Sequence, residues 1–278
     1  IPDSVKSVAE SVFNGCSSLE SVTIPDSVER LFMTFWDCDE MVTTPLLPEG
    51  LTGIDLGFLN CGELVTVQNI PSTVTSLNEA FGGCSKLKNV PSLPEGLVDM
   101  HCTFLGCGVL EDAPAIPSTV TIMNQTFAGC SSLKAAPTLP EGVTTMQSTF
   151  SGCKLITSIA SIPSTVTNLS DAFNGCEALT SIPTTIPEGV TDVGGTFAGC
   201  IALTTAPIIP ASVTMMYGTF DGCTSLTGTI TINATNLENY TYCLRDTVLP
   251  ITLAKTNCPA LVGIAATAEA GNVTVATE

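Results

Sequence analysis

The sequence repeats a short motif, Phe-x-Gly-Cys-x-x-Leu, at a nearly constant interval of about 23 residues. Self-similarity at such a period is typical of architectures in which each repeat stacks on its neighbours. The repeat therefore decides the fold before any single helix or strand is considered. Clear copies begin at Phe13, Phe81, Phe127, Phe173, Phe197 and Phe220, and weaker copies begin at Phe35, Phe58, Phe104 and Phe150.

A second element keeps the same register. It is an aliphatic residue followed by proline, with another aliphatic residue three positions after the proline, as in Ile24–Val28 and Leu47–Leu51. A further apolar residue follows three positions later, for example Leu31. Each repeat thus has about six apolar positions, too few for a core of its own, so stacked neighbours must bury them together.

The local sequence also predicts the path of each repeat. The segment after the motif leucine, as in Leu133–Ala136, predicts a short strand that pairs in parallel with its equivalents. Proline cannot donate to a ladder, so we expect the strand to end at the prolines that follow it in several copies. The Leu-Pro-Glu-Gly copies predict a type I turn with proline second and glycine fourth. The remaining stretch is too short for a full helix and predicts 3₁₀ turns or one helical turn.

The motif Phe-x-Gly-Cys-x-x-Leu, followed by Ile-Pro-x-x-Val-x-x-[Leu/Met], resembles the BspA-like leucine-rich repeats of bacterial cell-surface proteins. The resemblance covers roughly Ile1 to Leu226. It implies a right-handed leucine-rich-repeat solenoid on the bacterial surface, and some members of that family bind host matrix proteins or other cells. The family has no catalytic residues to transfer to this chain.

Repeat and resemblance together predict an α/β solenoid, a right-handed superhelix of about ten coils of ~23 residues. One parallel β-sheet is expected on one side and short 3₁₀ or helical turns on the other. The solenoid is predicted over residues 1–226. Residues 227–278, where the motif weakens, are predicted to form a degenerate C-terminal repeat that caps the last coil, followed by a tail. Within that tail, residues 265–275 are either an extended strand or the start of a linker.

Composition excludes several classes of function. The chain has 8 basic and 26 acidic residues, a formal net charge of −18, whereas nucleic-acid binding requires a basic face. An anionic membrane surface would repel it, and no apolar run approaches the roughly 18 residues of a membrane span. The 44% of hydrophobic residues is too high for a disordered acidic tail. The single histidine, His101, leaves few general bases.

The motif phenylalanines and cysteines are predicted to form a buried structural spine. Zinc sites use closely spaced cysteine pairs, and no spine cysteine has another within four residues. Stacked cysteines would have parallel Cβ vectors, which disfavours disulfides and favours buried thiols. Cys102 is predicted to face solvent, and Cys243 and Cys258 are candidates for a disulfide in the cap. The spine comprises Phe81, Phe104, Phe127, Phe150, Phe173, Cys84, Cys107, Cys130, Cys153 and Cys176.

Glutamates in alternate turns form a predicted interaction edge: Glu49, Glu95, Glu141 and Glu188. The alternative is a solvated edge that only aids solubility. At two strand spacings, about 10 Å, neighbouring glutamates are too far apart to share a calcium ion. No metal, cofactor or catalytic residue is therefore predicted. The outward positions beside the predicted strands are small or polar, and the sequence places no aromatic cluster among them.

Two functions remain after these exclusions. The first is a non-enzymatic, monomeric surface scaffold that adheres to an unidentified host or bacterial surface protein or glycan. The second is a structural stalk or spacer that presents another domain of a longer surface protein. An enzyme is the weakest alternative, because acid–base catalysis needs titratable groups that converge in a pocket. We expect an extracellular or cell-surface location and expect this segment to be a piece of a longer precursor.

Overall fold

The computed structural model describes residues 1–5, 8, 10–254, 256–267 and 272–276. The chain divides into two compact units, Ile1–Leu133 and Lys134–Glu278. In each unit, equivalent residues of successive repeats pair with one another in sequence order. The boundary predicted between residues 226 and 227 lies inside the second unit.

Parallel β-bridges join neighbouring repeats at more than one position of the repeat. The predicted row after the motif leucine is present as single bridges, such as Thr66↔Asn89 and Ser158↔Ser181, rather than as continuous strands. A second row, which we did not predict, follows the proline turn. It runs Arg30↔Gly53↔Ser76↔Asp99↔Ile122 in the first unit and Thr145↔Asn168↔Asp192↔Met215↔Asn239 in the second.

Among the described residues, continuous strands form where neighbouring repeats both lack the interrupting proline. Ile230 stands where the preceding repeat has Pro207, so its N–H is retained and the ladder is not blocked there. The elements are β1 (Gly228–Ile230), β2 (Ile251–Leu253), the helix α1 (Leu261–Ala265) and β3 (Val273–Val275), and the strands pair in parallel in the order β1-β2-β3. Of the tail segment left open by the sequence, Val273–Val275 is a strand, whereas Ala265 is the last residue of α1. Helix length and apolarity in the described part of the chain fall short of what crossing a bilayer requires.

The proline turn begins one residue later than predicted. The backbone N–H of Leu51 donates to the carbonyl oxygen of Pro48 at 3.0 Å, so proline is the first residue of the turn and not the second. Val74 and Pro71 repeat the same bond at 3.1 Å. The first position of a turn needs a carbonyl acceptor and no N–H, and proline meets this requirement.

The segment of each repeat that precedes the phenylalanine consists of consecutive turns. Its backbone N–H groups form two sets of hydrogen bonds. Alternate N–H groups donate to the next repeat: Leu77 to Asp99, Glu79 to His101, Phe81 to Thr103 and Gly83 to Leu105, at 2.9, 2.8, 3.0 and 2.6 Å. The intervening N–H groups close local turns, as from Ala80 to Leu77 at 3.0 Å. Glu79 has a φ of 53°, which interrupts any helix. This finding corrects the predicted 3₁₀ or helical turn.

The motif glycine is required by backbone conformation and by space. Gly106 and Gly129 have φ values of 74° and 76°, a region that favours glycine. A Cβ atom on Gly129 would lie 3.3 Å from the Cα atom of Gly106. Two repeats replace the glycine by Asp37 and Asn60, the residue types that best tolerate this region.

The phenylalanines form a continuous stack inside each unit. In the first unit, ring centroids are 6.0 Å apart between Phe81 and Phe104 and 5.5 Å apart between Phe104 and Phe127. In the second unit, Phe150 and Phe173 lie 6.0 Å apart with nearly parallel planes. All five of these rings are fully buried. Each ring therefore fills space between two neighbouring repeats.

Replacement of Phe104 by alanine should lower the free energy of unfolding by about 3–5 kcal/mol, because a cavity would remain between two rings. The control is Phe32→Ala, since the Phe32 side chain is 36% exposed and lies outside the stack. Urea unfolding followed by circular dichroism measures both changes. Equal losses for the two variants would contradict the assigned stack.

Candidate functional site

The spine cysteines are hydrogen-bond donors to the backbone of the preceding repeat. The thiol of Cys107 donates to the carbonyl oxygen of Phe81, with a sulfur–oxygen distance of 3.3 Å. Equivalent bonds join Cys84 to Phe58 at 3.1 Å, Cys130 to Phe104 at 3.2 Å and Cys176 to Phe150 at 3.2 Å. Cys153 is fully buried in the same position of its repeat. Each of these carbonyl oxygens also accepts the N–H of the cysteine three residues later, as Phe81 does from Cys84 at 3.2 Å, so the thiol adds a bond between repeats to a local turn.

Burial also keeps these thiols unreactive. It raises the pKa of Cys130 and of Cys176 to about 12, against an ordinary value of 9.0. The nucleophile in cysteine chemistry is the thiolate, which such a pKa suppresses at neutral pH. The spine cysteines are thus buried thiols whose thiolate form is disfavoured.

Cys102 and the two cap cysteines differ from their predicted environments. Cys102 is only 5% exposed, not solvent-facing, and burial with the nearby charges of Glu79 and Asp99 raises its pKa to about 11. Its backbone has a φ of 50°, a conformation that the sequence pattern does not reveal. Cys243 and Cys258 are both buried free thiols, which corrects the candidate disulfide.

Buried threonines form a second row of bonds between repeats. The hydroxyl of Thr103 donates to the carbonyl oxygen of Leu77 at 2.9 Å, and that of Thr219 donates to Val193 at 3.0 Å. Both threonines are fully buried. Polar side chains inside the repeats are thus engaged in holding neighbouring repeats together. Among the described residues, no three His, Cys, Asp or Glu side chains converge as metal ligands.

The predicted glutamate edge braces neighbouring turns. One carboxylate oxygen of Glu49 accepts hydrogen bonds from the N–H and the hydroxyl of Ser72, at 3.1 and 3.0 Å. Glu141 accepts the equivalent pair from Ser164, both at 3.1 Å. This contact accounts for the alternation of glutamate and serine along the turns. Glu95 and Glu188 lie in equivalent exposed turns, and the repeat after Glu188 has Ala211 where a serine would be.

A row of small, exposed side chains lies on the second unit. We call it the serine–threonine face: Thr157, Ser158, Thr180, Ser181, Thr204 and Thr205, all exposed. The bridge between Ser158 and Ser181 fixes the backbone beneath it. The outward positions predicted elsewhere in this row, including Asn89, Asp112 and Ala135, are also exposed. Such a face offers contact area on a rigid backbone rather than a reaction centre.

The structure assembles an aromatic cluster that the sequence analysis missed. The rings of Tyr217 and Tyr242 meet edge to face, with centroids 5.9 Å apart. The guanidinium of Arg245 lies 4.6 Å from the centre of the Tyr242 ring and pairs with both carboxylate oxygens of Asp221, Nε to Oδ1 at 2.9 Å. The sequence contains one indication of this cluster in the distribution of its tyrosines. The chain has three tyrosines, and all lie between residues 217 and 242.

Comparison with known families gives a match along most of the chain. A family model described as BspA type Leucine rich repeat region, in 6 copies, matches residues 1–91, 54–171, 100–227 and 147–256. No curated protein matches the chain.

Two solved structures with similarity to the chain are bacterial leucine-rich repeat proteins. A leucine-rich repeat protein from Bacteroides ovatus is 23% identical, with a TM-score of 0.63, over 100% of this chain and 83% of that one. A leucine rich cell surface protein from Faecalibacterium prausnitzii is 21% identical, with a TM-score of 0.48, over 98% of this chain and 82% of that one. The first of these similarities shows a leucine-rich-repeat fold.

Native thiol labelling should separate the buried cysteines from the exposed one. Cys16 is exposed and should react rapidly with iodoacetamide, whereas Cys130, Cys176 and Cys102 should react only as the protein unfolds. Peptide mass mapping after timed labelling measures each rate, and labelling in urea provides the fully reactive control. Rapid modification of Cys130 in the native protein would contradict its role in the spine.

Proposed function

Because the chain belongs to the BspA type leucine-rich repeat family, we propose that it is a non-enzymatic scaffold on a bacterial surface. Its partner is a host or bacterial surface protein or glycan, and it acts as a monomer that presents its exposed faces for adhesion. The repeats form a right-handed superhelix of about ten coils. The solenoid of residues 1–226 and the cap and tail of residues 227–278 are part of the same proposal.

The observation that carries this proposal is the contrast between the inside and the outside of the repeats. Inside, the thiols of Cys107 and Cys130 and the hydroxyl of Thr103 are each bound to a backbone carbonyl of the preceding repeat. Acid–base or nucleophilic catalysis would require such groups to be free and convergent. Outside, exposed rows repeat in register, which suits contact with a large partner.

Of the two exposed features, the serine–threonine face supports adhesion better than the glutamate edge. Carboxylates of Glu49 and Glu141 are engaged with the serines of the next turn. The face includes no charged group and lies on a bridged backbone, so a partner would not have to displace an ion pair. Small side chains also lose little conformational entropy when they are covered.

Affinity should be distributed over several repeats. None of the six side chains of the face is aromatic or arginine, the residue types that dominate binding hot spots. The total binding free energy is then the sum of many weak contacts, reduced by the entropic cost of association. A monomer is expected to bind at a micromolar Kd or weaker, and copies displayed together should bind far more tightly through effective concentration.

A charge placed on the serine–threonine face should abolish adhesion. The full chain, as monomer and on beads, is applied to immobilised matrix proteins, mucin glycans and bacterial surface extracts. The double variant Ser158→Lys with Ser181→Lys should lose at least about ten-fold in bead retention. Both side chains are exposed, so their replacement should leave the stability nearly unchanged.

The matched control is Glu141→Gln with Glu188→Gln, which changes the charge of the edge and leaves the face intact. Retention of this control together with loss of the lysine variant supports adhesion through the face. Loss in the control alone would assign binding to the glutamate edge instead. If beads bind to none of the surfaces, the scaffold does not adhere and the spacer function is favoured.

A further inference from the structure

A recess opens on the turn side of the second unit where two consecutive glycines interrupt a column of larger side chains. Gly194 occupies the position that other repeats fill with Asn78, His101, Asn124, Gln147, Ser170, Tyr217 and Thr241. Gly195, with a φ of 61°, occupies the next position, and Gly218 repeats this in the following repeat. The missing side chains leave a cavity of about 430 Å³. This volume lies within the range of small-molecule sites, about 300–1,000 Å³.

One wall of the recess is an exposed aromatic ring held in a fixed orientation. Tyr217 lines the recess and is 48% exposed, so a ligand could cover much of its ring. The ring meets that of Tyr242 edge to face, and the guanidinium of Arg245 lies over the Tyr242 ring. Asp221 anchors that guanidinium through both carboxylate oxygens. The wall is therefore ordered before any ligand binds, which lowers the entropic cost of binding.

Polar groups line the rest of the recess. Oδ1 of Asp171 accepts a hydrogen bond from the Asn174 amide at 2.9 Å, and Oδ1 of Asp192 accepts one from the Gly194 N–H at 2.8 Å. Within the part of the chain that the structure describes, the second oxygen of each carboxylate has no such bond. A carboxylate can accept several hydrogen bonds, so both side chains retain acceptor capacity toward the recess.

This lining is complementary to a ligand ring that has carbon-bound hydrogens on one face and hydroxyl donors at its edge. The ring of Tyr217 covers apolar surface, and the carboxylates of Asp171 and Asp192 accept from hydroxyl groups. An anionic ligand is disfavoured, because both carboxylates and the net charge of −18 repel it. Arg245, which would offset that repulsion, is already paired with Asp221.

A cationic peptide side chain fits less well than a sugar. One oxygen of each carboxylate, Asp171 and Asp192, already accepts an amide hydrogen bond, so neither can bind a guanidinium through both oxygens without losing that bond. The aromatic face best placed to stabilise a cation, that of Tyr242, is already occupied by Arg245. A broad cavity floored by glycine also exceeds the tip of a lysine or arginine side chain.

We propose that the recess above Gly194 and Gly195, walled by Tyr217, binds a pyranose ring of an uncharged glycan. The proposal deepens the proposed adhesion function and rests on it for the surface setting in which such a glycan would be met. It assigns a ligand class to one site and leaves the serine–threonine face as a separate contact area.

The decisive variant fills the recess and preserves the backbone. In Gly194→Gln, the new Cβ atom would lie 3.1 Å from Oδ1 of Asp192 and 3.5 Å from the carbonyl oxygen of Tyr217. In another repeat, the residues equivalent to Asp192 and Gly194 are Asp99 and His101. His101 has a large side chain, and its backbone N–H still donates to Oδ1 of Asp99 at 2.8 Å. The fold therefore accommodates the substitution. The matched control is Gly96→Gln, because Gly96 lies in an exposed turn with open space around it.

The full chain is titrated with lactose, cellobiose, maltose and diacetylchitobiose, and with 3′-sialyllactose as the anionic counterpart of lactose, by saturation-transfer NMR. At least one neutral disaccharide should bind with a Kd of about 1 mM, and the sialylated sugar should bind more weakly than lactose. Gly194→Gln and Tyr217→Ala should each weaken binding at least about ten-fold, whereas Gly96→Gln should leave it unchanged.

Failure to bind any neutral disaccharide, or equal binding by Gly194→Gln and the unmodified chain, would overturn the proposal. So would binding of a lysine–arginine peptide that Gly194→Gln abolishes while the sugars do not bind, since the recess would then be a cation site. Bead adhesion of the unmodified chain separates this proposal from the adhesion function. Adhesion of the unmodified chain without binding of any neutral disaccharide would reject the sugar site alone.

Discussion

The structure depends on the pairing of each phenylalanine backbone with the next repeat. The N–H of Phe81 donates to Thr103 of the next repeat, and the carbonyl oxygen of Phe81 accepts the thiol hydrogen of Cys107. A typical hydrogen bond contributes only about 0.5–1.5 kcal/mol, but a buried N–H group left unpaired costs about 1–3 kcal/mol. A repeat shifted by one residue would leave such groups unpaired in every coil of the unit. The ladder therefore fixes the register, and the stacked rings fill the space that this register leaves.

The same constraint explains the residue types of the motif. A thiol is small enough for the interior and can still donate to a carbonyl, and burial raises its pKa so that the donor hydrogen is retained. Glycine follows because Gly106 and Gly129 stack closely in a left-handed conformation. The prolines have the complementary effect outside the ladder: they limit pairing to single bridges, and a continuous sheet forms at Gly228–Ile230, where no proline intervenes.

The sequence was informative where a periodic pattern determines burial and poor where backbone conformation decides it. Periodicity alone identified the phenylalanine and cysteine positions, because two unrelated residue types recur in one register. It did not reveal the left-handed φ at Cys102, since Glu79 and Gln125 at the same position are polar and suggest exposure. The Tyr217–Tyr242 contact was missed for a related reason. A pair 25 residues apart becomes adjacent only once the register of the turn side is known.

A fold held by backbone ladders leaves its outer side chains free to vary. The N–H of Gly195 donates to the carbonyl oxygen of Tyr217 at 2.6 Å, just as Glu79 donates to His101, although the side chains at these positions have nothing in common. The absence of a side chain at Gly194 therefore breaks no hydrogen bond of the ladder. The exposed tyrosine beside it enlarges the outer surface and does not alter the packing of the spine. A recess can arise in one repeat while the others continue the regular stack. The packing of the interior does not require such a departure from the repeat. In such a protein, specific recognition is therefore expected at the positions of the outer surface where the repeat pattern is broken.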